Sequence, residues 1–352
     1  MQTNMPQTPD ESLVSKPGAA APAVTVQVLH WRGLSKTMEC LESLRKLTYS
    51  NYRVLVVANG AEAGDAQAIS DKYPEVELLS LSDNFGFAGG SNRGIEHALK
   101  SGADYIWLLN NDALSKPDTL SKLVDALEKC QNGGAAAALV LEGKVAGAGE
   151  AGGAGRAESS PGAEDKVDLR QVAGIGKIDF LKAKTYLRPL PQTANNEHPE
   201  GQDCLWLSGS NLLLKSSAIK QVGSFDEKYF LYFEDVDLCY RLKQAGYALI
   251  LVPSTVVEHE GNASTQGGLS LWRNYYHTRN RLYFFRKHTP ALLLPVAYLS
   301  ILSHFLKHCL TLPLRGKKGR AKLYAEWLGV RDYFCGRSGR ATCLDWCNSL
   351  EL

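Results

Sequence analysis

The sequence predicts an α/β fold, a mostly parallel sheet flanked by helices, and three observations carry that prediction. From Val24 onward, short apolar runs alternate with amphipathic stretches, the pattern of a parallel sheet covered on both faces. Polar or glycine-rich turns follow the predicted strands, on the edge where open α/β sheets bind ligands. Further on, Glu234, Asp235 and Asp237 crowd the opening of a predicted helix, behind the aromatic residues Phe225, Tyr229, Phe230, Tyr232 and Phe233.

Residues 24–29 read as a strand, 35–47 as a helix with Met38, Leu41, Leu44 and Leu47 on one face, and 54–57 as a second strand. A third strand at 76–81 leads into a glycine-rich turn that opens a helix through Ala98, and 105–109 is a fourth strand. The turns at the strand ends are His30-Trp31-Arg32-Gly33, Ala58-Asn59-Gly60, Asn84-Phe85-Gly86-Phe87-Ala88-Gly89-Gly90-Ser91-Asn92-Arg93-Gly94 and Asn110-Asn111-Asp112. The glycines at 86, 89, 90 and 94 do not form the dinucleotide-binding GxGxxG pattern. They can bring backbone close to a ligand at a helix N-terminus, and they suit a tight strand-to-helix turn equally well. Asp112 can supply a carboxylate to a hard divalent cation on a diphosphate, or cap the helix after Pro117.

Residues 135–141 form a plausible strand, and the Gly/Ala-rich segment 143–165 reads as a flexible insertion. Order resumes at 175–180. The segment 204–214 reads as a strand pair broken by Ser208-Gly209-Ser210. In the segment that follows, helical spacing of Leu238, Leu242 and Ala245 puts the three acids in a first turn, where backbone N–H groups favour carboxylates in any protein. Apolar walls and mutual repulsion also raise a carboxylate's pKa, as a general base requires. A strand at 248–252 precedes His259, flanked by two acids and readable as a structural histidine or a metal ligand.

Lys and Arg number 39 against 37 Asp and Glu, so overall charge gives no case for nucleic acid. Eight cysteines without a CxxC pair suit reduced, mostly buried thiols. Residues 1–23 lack an apolar core segment and read as a disordered leader rather than a signal peptide, consistent with a cytoplasmic protein. At 291–314 an apolar run is interrupted by Pro295, His304, Lys307 and His308, and basic residues follow at 315–322. That pattern suits a C-terminal helix lying on an anionic membrane surface better than one spanning it, or a helix packed on the main domain.

Taken together, these motifs, with Leu-Ser-Gly-Ser-Asn, Phe-Asp-Glu-Lys-Tyr-Phe-Leu-Tyr-Phe-Glu-Asp-Val-Asp-Leu-Cys-Tyr-Arg and Arg279-Asn280-Arg281, resemble the inverting family 2 glycosyltransferases of the GT-A (Rossmann-like) fold, especially rhamnosyltransferase-like members. The resemblance runs from about residue 24 to 339. It implies a glycosyltransferase domain at 24–265 and a C-terminal, membrane-associating helical region at 266–352. It implies Mg²⁺ or Mn²⁺ held by Asp112 and His259, and Asp235 as catalytic base supported by Glu234 and Asp237. The nucleotide-sugar donor would meet His30, Trp31, Asn59, Asn84, Gly86, Gly90, Asn92, Arg93, Asn110 and Asn111. A saccharide or polyprenyl-linked acceptor would meet Trp206, Ser208 and Gly209. The implied setting is the inner face of the cell membrane, in polysaccharide assembly, with dTDP-rhamnose as the donor the resemblance favours. Ala58 and Arg32 stand where many members carry Asp and Asn, so the nucleotide base is left open. A nucleotide-dependent oxidoreductase would lack the Asn-Asn-Asp and Glu-Asp-Val-Asp pairing. A non-catalytic sugar-binding or scaffolding descendant would lack metal-dependent turnover of a nucleotide sugar.

Overall fold

A computed structural model describes residues 20–144, 168–171, 175–188, 204–259 and 271–341. The expected leader up to residue 19, most of the Gly/Ala segment and Cys343 and Cys347 lie outside the described residues.

The first half is a run of strands and helices: β1 (Val24–His30), α1 (Leu34–Leu44), β2 (Tyr52–Asn59), α2 (Asp65–Lys72), β3 (Glu77–Leu81), α3 (Gly86–Lys100) and β4 (Tyr105–Asn110). Then come β5 (Ala113–Ser115), α4 (Thr119–Lys129), β6 (Gly133–Lys144), β7 (Asp168–Gln171), the hairpin β8 (Ile175–Asp179) and β9 (Lys184–Arg188), β10 (Asn211–Lys215), α5 (Ser216–Val222), α6 (Glu234–Gln244) and β11 (Ala248–His259). Three helices close the described chain: α7 (Leu271–His288), α8 (Leu294–Thr311) and α9 (Gly316–Phe334).

The main sheet runs β3-β2-β1-β4-β10-β6-β11-β5, with β7 beside β6. Strands β1 to β4 are parallel. β10 enters antiparallel between β4 and β6, and β11 is parallel to β6. Alternate residues of β4 serve two cores, because successive strand side chains point to opposite faces. Tyr105, Trp107 and Leu109 pack with Leu41, Leu44, Leu120 and Leu123 of α1 and α4. Ile106 and Leu108 pack with Ile95 of α3, Ile219 of α5 and Leu238 and Leu242 of α6. With both faces covered, ligand access is left to the sheet's edges and strand ends.

The expected strand pair at 204–214 is a single strand, β10. Its two edges are taken by β4 and β6, so the preceding residues turn aside and Trp206 forms an isolated bridge with Gly176 of β8. Sequence patterning also missed α2, which buries only Ile69.

α7 and α9 lie in close contact, since a Cβ at Gly329 would come within 2.7 Å of the Tyr275 carbonyl oxygen. α8 buries Ala297 and Ile301 and exposes Leu299, Leu302, Leu306 and Leu310. The tract from Ala291 to Phe334 contains an 18-residue window of mean hydropathy 1.3, long and apolar enough by composition to cross a membrane, with 11% of it buried. Pro295 sits in the first turn of α8, where the ring replaces an N–H with no helical partner and breaks nothing.

Candidate functional site

The strand ends converge as the topology requires. The short antiparallel pairing of β5 with β11 sets His259 opposite Ala113, which brings the imidazole to Asp112. His259 Nε2 lies 3.0 Å from Asp112 Oδ1, and the Asn110 amide nitrogen is 3.2 Å from the same ring atom. Asp112 is only 7% exposed. A carboxylate beside an imidazole is a donor set that fits a divalent cation such as Mn²⁺ or Mg²⁺. Among the described residues no third His, Cys, Asp or Glu completes a cluster, so diphosphate oxygens and water would fill the remaining positions.

At the ends of β1 and β2 the expected donor residues build the turns themselves. Both ring nitrogens of buried His30 are engaged, Nδ1 with the Thr37 hydroxyl at 2.8 Å and Nε2 with the Asp65 carboxylate at 2.9 Å. Asn111 donates to the Arg32 carbonyl and the Thr37 hydroxyl, each at 2.9 Å, and Arg32 lies over the Trp31 ring. Buried Asn59 donates to the Asn84 side chain and the Gly86 carbonyl and accepts from the Phe85 N–H. Gly86 has φ 73°, and a Cβ there would overlap the Phe230 carbonyl oxygen. A Cβ at Gly90 would come within 2.8 Å of Asn59, so this glycine serves helix-on-sheet packing.

Asn92 donates to the Phe225 carbonyl and Glu227 and accepts from the Phe225 N–H, while Arg93 donates to Gly89 and Glu227 with its guanidinium over the Phe85 ring. They tie α3 to the segment before the acids, which gives both a structural task. Glu227, Thr37 and Asp65 escaped the sequence reading because each acts through a residue distant in the chain.

The acids divide by environment. Asp235 accepts the Gly209 N–H at 3.0 Å and the Val236 N–H at 2.8 Å. Burial raises its pKa, and those backbone bonds offset part of the rise. Glu234, 5% exposed, has one carboxylate oxygen with no hydrogen-bond partner among the described residues. Burial, followed by the neighbouring Asp235 charge, lifts its pKa well above the ordinary carboxylate range. Asp237 is different. Burial alone would raise its pKa, but His288, Arg241 and Lys287 outweigh it and hold the carboxyl below its usual range. His288 Nε2 and Lys287 Nζ each lie 2.8 Å from Oδ1, Tyr229 donates to the same oxygen at 3.2 Å, and Arg241 Nε donates to Oδ2 at 2.8 Å. Asp237 thus anchors α6 to α7, through partners sequence spacing gave only at Arg241.

The two ends of the site meet through β10. The Asn110 N–H donates to the Ser210 carbonyl at 3.0 Å, and the neighbouring Gly209 N–H holds Asp235. Ser208 and Ser210 hydroxyls bond each other at 3.0 Å, and the Trp206 indole donates to the Lys177 carbonyl at 3.3 Å.

The approach to α6 is strained. Phe230, Tyr232 and Phe233 have φ of 64°, 68° and 75°, and left-handed conformations of bulky residues cost on the order of 1–3 kcal/mol each. α7 holds them there. The Asn280 amide group lies 2.9, 2.8 and 2.8 Å from the carbonyl oxygens of Tyr229, Leu231 and Tyr232, and Arg279 donates to Lys228, Tyr229 and Gly339. Both side chains are buried.

Comparison with known proteins follows the same outline. Residues 21–283 match the family described as glycosyltransferase like family 2. An N-acetylglucosaminyl-diphospho-decaprenol L-rhamnosyltransferase of Mycobacterium tuberculosis is 32% identical over 238 residues, 64% of this chain and 72% of that one. A dTDP-rhamnosyl transferase, RfbF, of Shigella flexneri is 24% identical over 264 residues, 71% of this chain and 76% of that one. The solved structure of a Pyrobaculum calidifontis mannosyltransferase with GDP-Man and Mn²⁺ superposes with a TM-score of 0.51 at 14% identity, covering 91% of this chain and 89% of that one. At that identity the likeness concerns the fold, which is GT-A.

Asn280→Ala strips buried carbonyls of their donor and should lower stability by roughly 2–4 kcal/mol, read as a clear fall in melting temperature; an unchanged melting temperature would remove the clamp. Asp237→Asn removes the buried carboxylate from Arg241, Lys287 and His288, two of them partly or largely solvated, and should cost on the order of 1–3 kcal/mol. Because the Asp237 pKa is depressed on folding, its contribution is complete above roughly pH 5 and is lost as pH falls through and below the ordinary carboxylate range. Urea midpoints of the Asn variant should therefore fall less steeply on acidification than those of the unaltered protein.

Proposed function

Because the chain belongs to glycosyltransferase family 2, we propose that it transfers L-rhamnose from dTDP-rhamnose to a saccharide on a polyprenyl diphosphate carrier. The work would take place at the inner face of the cell membrane, in cell-surface polysaccharide assembly. The observation that carries this reading is the joining of two sites through one turn: Asp112 with His259, and Asp235 on the Gly209 N–H. The names of the mycobacterial and Shigella relatives support the donor and the lipid-linked acceptor.

In this mechanism Asp235 takes the proton of an acceptor hydroxyl as that oxygen bonds to the anomeric carbon. The bond from that carbon to the diphosphate breaks on the opposite face, and the configuration inverts. Burial suits Asp235 to accepting a proton, while its two backbone N–H bonds fix the carboxylate's direction. Burial, and then the Asp235 charge, push the pKa of Glu234 well up, which disfavours a second negative charge beside Asp235. Asp237 positions the helix that carries both. Asp112 and His259 would hold Mg²⁺ or Mn²⁺, which when bound neutralises charge on the departing nucleoside diphosphate. Gly209 touches Asp235, and Trp206 and Ser208 beside it in the chain would meet the acceptor, while Trp31, Asn84, Asn110 and Asn111 at the strand ends would meet the donor.

A thermal-shift series with dTDP-, UDP- and GDP-sugars, each with Mn²⁺ and with EDTA, should give stabilisation by the dTDP-sugar that needs both metal and Asp112 and vanishes in Asp112→Ala. Absence of any shift in folded protein would favour a non-catalytic descendant of the fold. Asp235→Asn should reduce turnover by ~10²- to 10⁴-fold and leave donor-dependent stabilisation intact; equal loss of both would defeat its role as base. Substituting exposed Leu299, Leu302, Leu306 and Leu310 by Ser should abolish flotation with phosphatidylglycerol vesicles without lowering the melting temperature, and undiminished flotation would defeat the membrane contact.

A further inference from the structure

A cavity of about 560 Å³ opens between α7, α8, α9 and the β8–β9 hairpin, apart from the Asp112 turn. Lys182, Lys184, Arg281, Lys307 and Lys322 reach its wall, against a single carboxylate, Glu326. That carboxylate is already bonded to His308 Nδ1 at 2.7 Å. Arg281 is fixed by donating to the Ala183 carbonyl at 2.6 Å and the Lys182 carbonyl at 3.1 Å. Burial lowers its pKa, the mark of a guanidinium lacking a compensating anion. Among the described residues five basic side chains line one concave space; with Lys182 paired to Asp179 at 3.7 Å and Glu326 bonded to His308, the wall keeps an excess of positive charge suited to a multiply charged anion.

Two placements narrow the anion's identity. Phe233 lines the cavity and is the residue before Glu234 and Asp235, so an anion held there lies beside the segment carrying the acids. α8 walls the cavity through Ser300, Ile301 and His304, while Leu299, Leu302, Leu306 and Leu310 of the same helix are exposed. A ligand with a phosphate head and a hydrocarbon tail matches both surfaces of that one helix.

We infer that this cavity binds the diphosphate of the lipid-linked acceptor, with the polyprenyl chain leaving along the exposed face of α8. The inference rests on the proposed transfer to a lipid-linked saccharide and assigns that acceptor its anchoring subsite. The cavity would hold the carrier's charge while the sugar end extends past Phe233 toward Asp235.

Farnesyl diphosphate, a short analogue of the carrier, tests the assignment by calorimetric titration of the full chain. The triple variant Lys184→Gln, Lys307→Gln, Lys322→Gln is suitable because none of the three side chains makes a hydrogen bond or ion pair among the described residues. It should weaken farnesyl diphosphate binding by about tenfold or more, while the dTDP-sugar thermal shift stays unchanged. Unweakened binding in the triple variant would overturn the inference. So would inorganic pyrophosphate or farnesol binding the unaltered protein as tightly as farnesyl diphosphate, or short-chain phosphatidylglycerol competing equally well, which would make the cavity a general lipid-headgroup site. A missing dTDP-sugar shift in the unaltered protein would instead overturn the donor assignment, so the two readings fail separately.

Discussion

Three backbone carbonyls in a turn that no relaxed chain would leave in place are held by one buried amide. Asn280 bonds Tyr229, Leu231 and Tyr232, and on that grip depend the left-handed turns at Phe230, Tyr232 and Phe233, the closeness of Gly86 and the direction in which α6 starts. A glycine would relieve the strain at any of these positions. Instead Tyr232 and Phe233 pack into a third core with Phe284, Phe285 and Ile301 while Phe230 stacks on Tyr276, and burial of these rings offsets backbone strain of a few kcal/mol. Strain and packing thus fix a helix N-terminus that ordinary capping does not: the residue before Glu234 makes no side-chain cap hydrogen bond.

The sheet contributes a second constraint. A purely parallel sheet would keep Asp112 and His259 on separate strand ends. Reversing the short β5 against β11 folds one back over the other, and inserting β10 antiparallel beside β4 carries Gly209 up to Asn110. Two departures from the parallel pattern therefore account for the geometry of the site, while the regular part serves as the frame that keeps both departures rigid.

Strands β1 to β4, helices α1 and α3 and the acidic opening of α6 were legible in the sequence because each is local: apolar periodicity, turn glycines and first-turn acids are readable within a dozen residues. What could not be read is what depends on distant partners. Nothing in the neighbourhood of His30 points to Asp65, nor of Asn92 to Glu227, and so the part these residues play in shaping the turns could not be read. Asp237 looked like its neighbours Glu234 and Asp235, yet His288 and Lys287, fifty or so residues downstream, give it the opposite electrostatic environment. The strand pair expected at 204–214 failed for the same reason, since the availability of a sheet edge is a property of the whole topology. Pro295, read as an interruption of the apolar run, stands in the first turn of α8, where a helix tolerates it.

The clamp on the acidic loop also sets an order of events during synthesis. Every strand of the main sheet lies at or before His259, whereas the bonds that hold residues 228–232 come from Arg279 and Asn280, with Gly339 completing the contact at Lys228. A chain emerging from the ribosome N-terminus first can close its sheet while the loop before α6 is still unrestrained. The acids then take their final direction only when α7 has followed. Maturation of the site is thereby delayed until the segment after the sheet has itself left the ribosome, so a nascent chain cut short before Arg279 would hold a formed sheet and an unformed site.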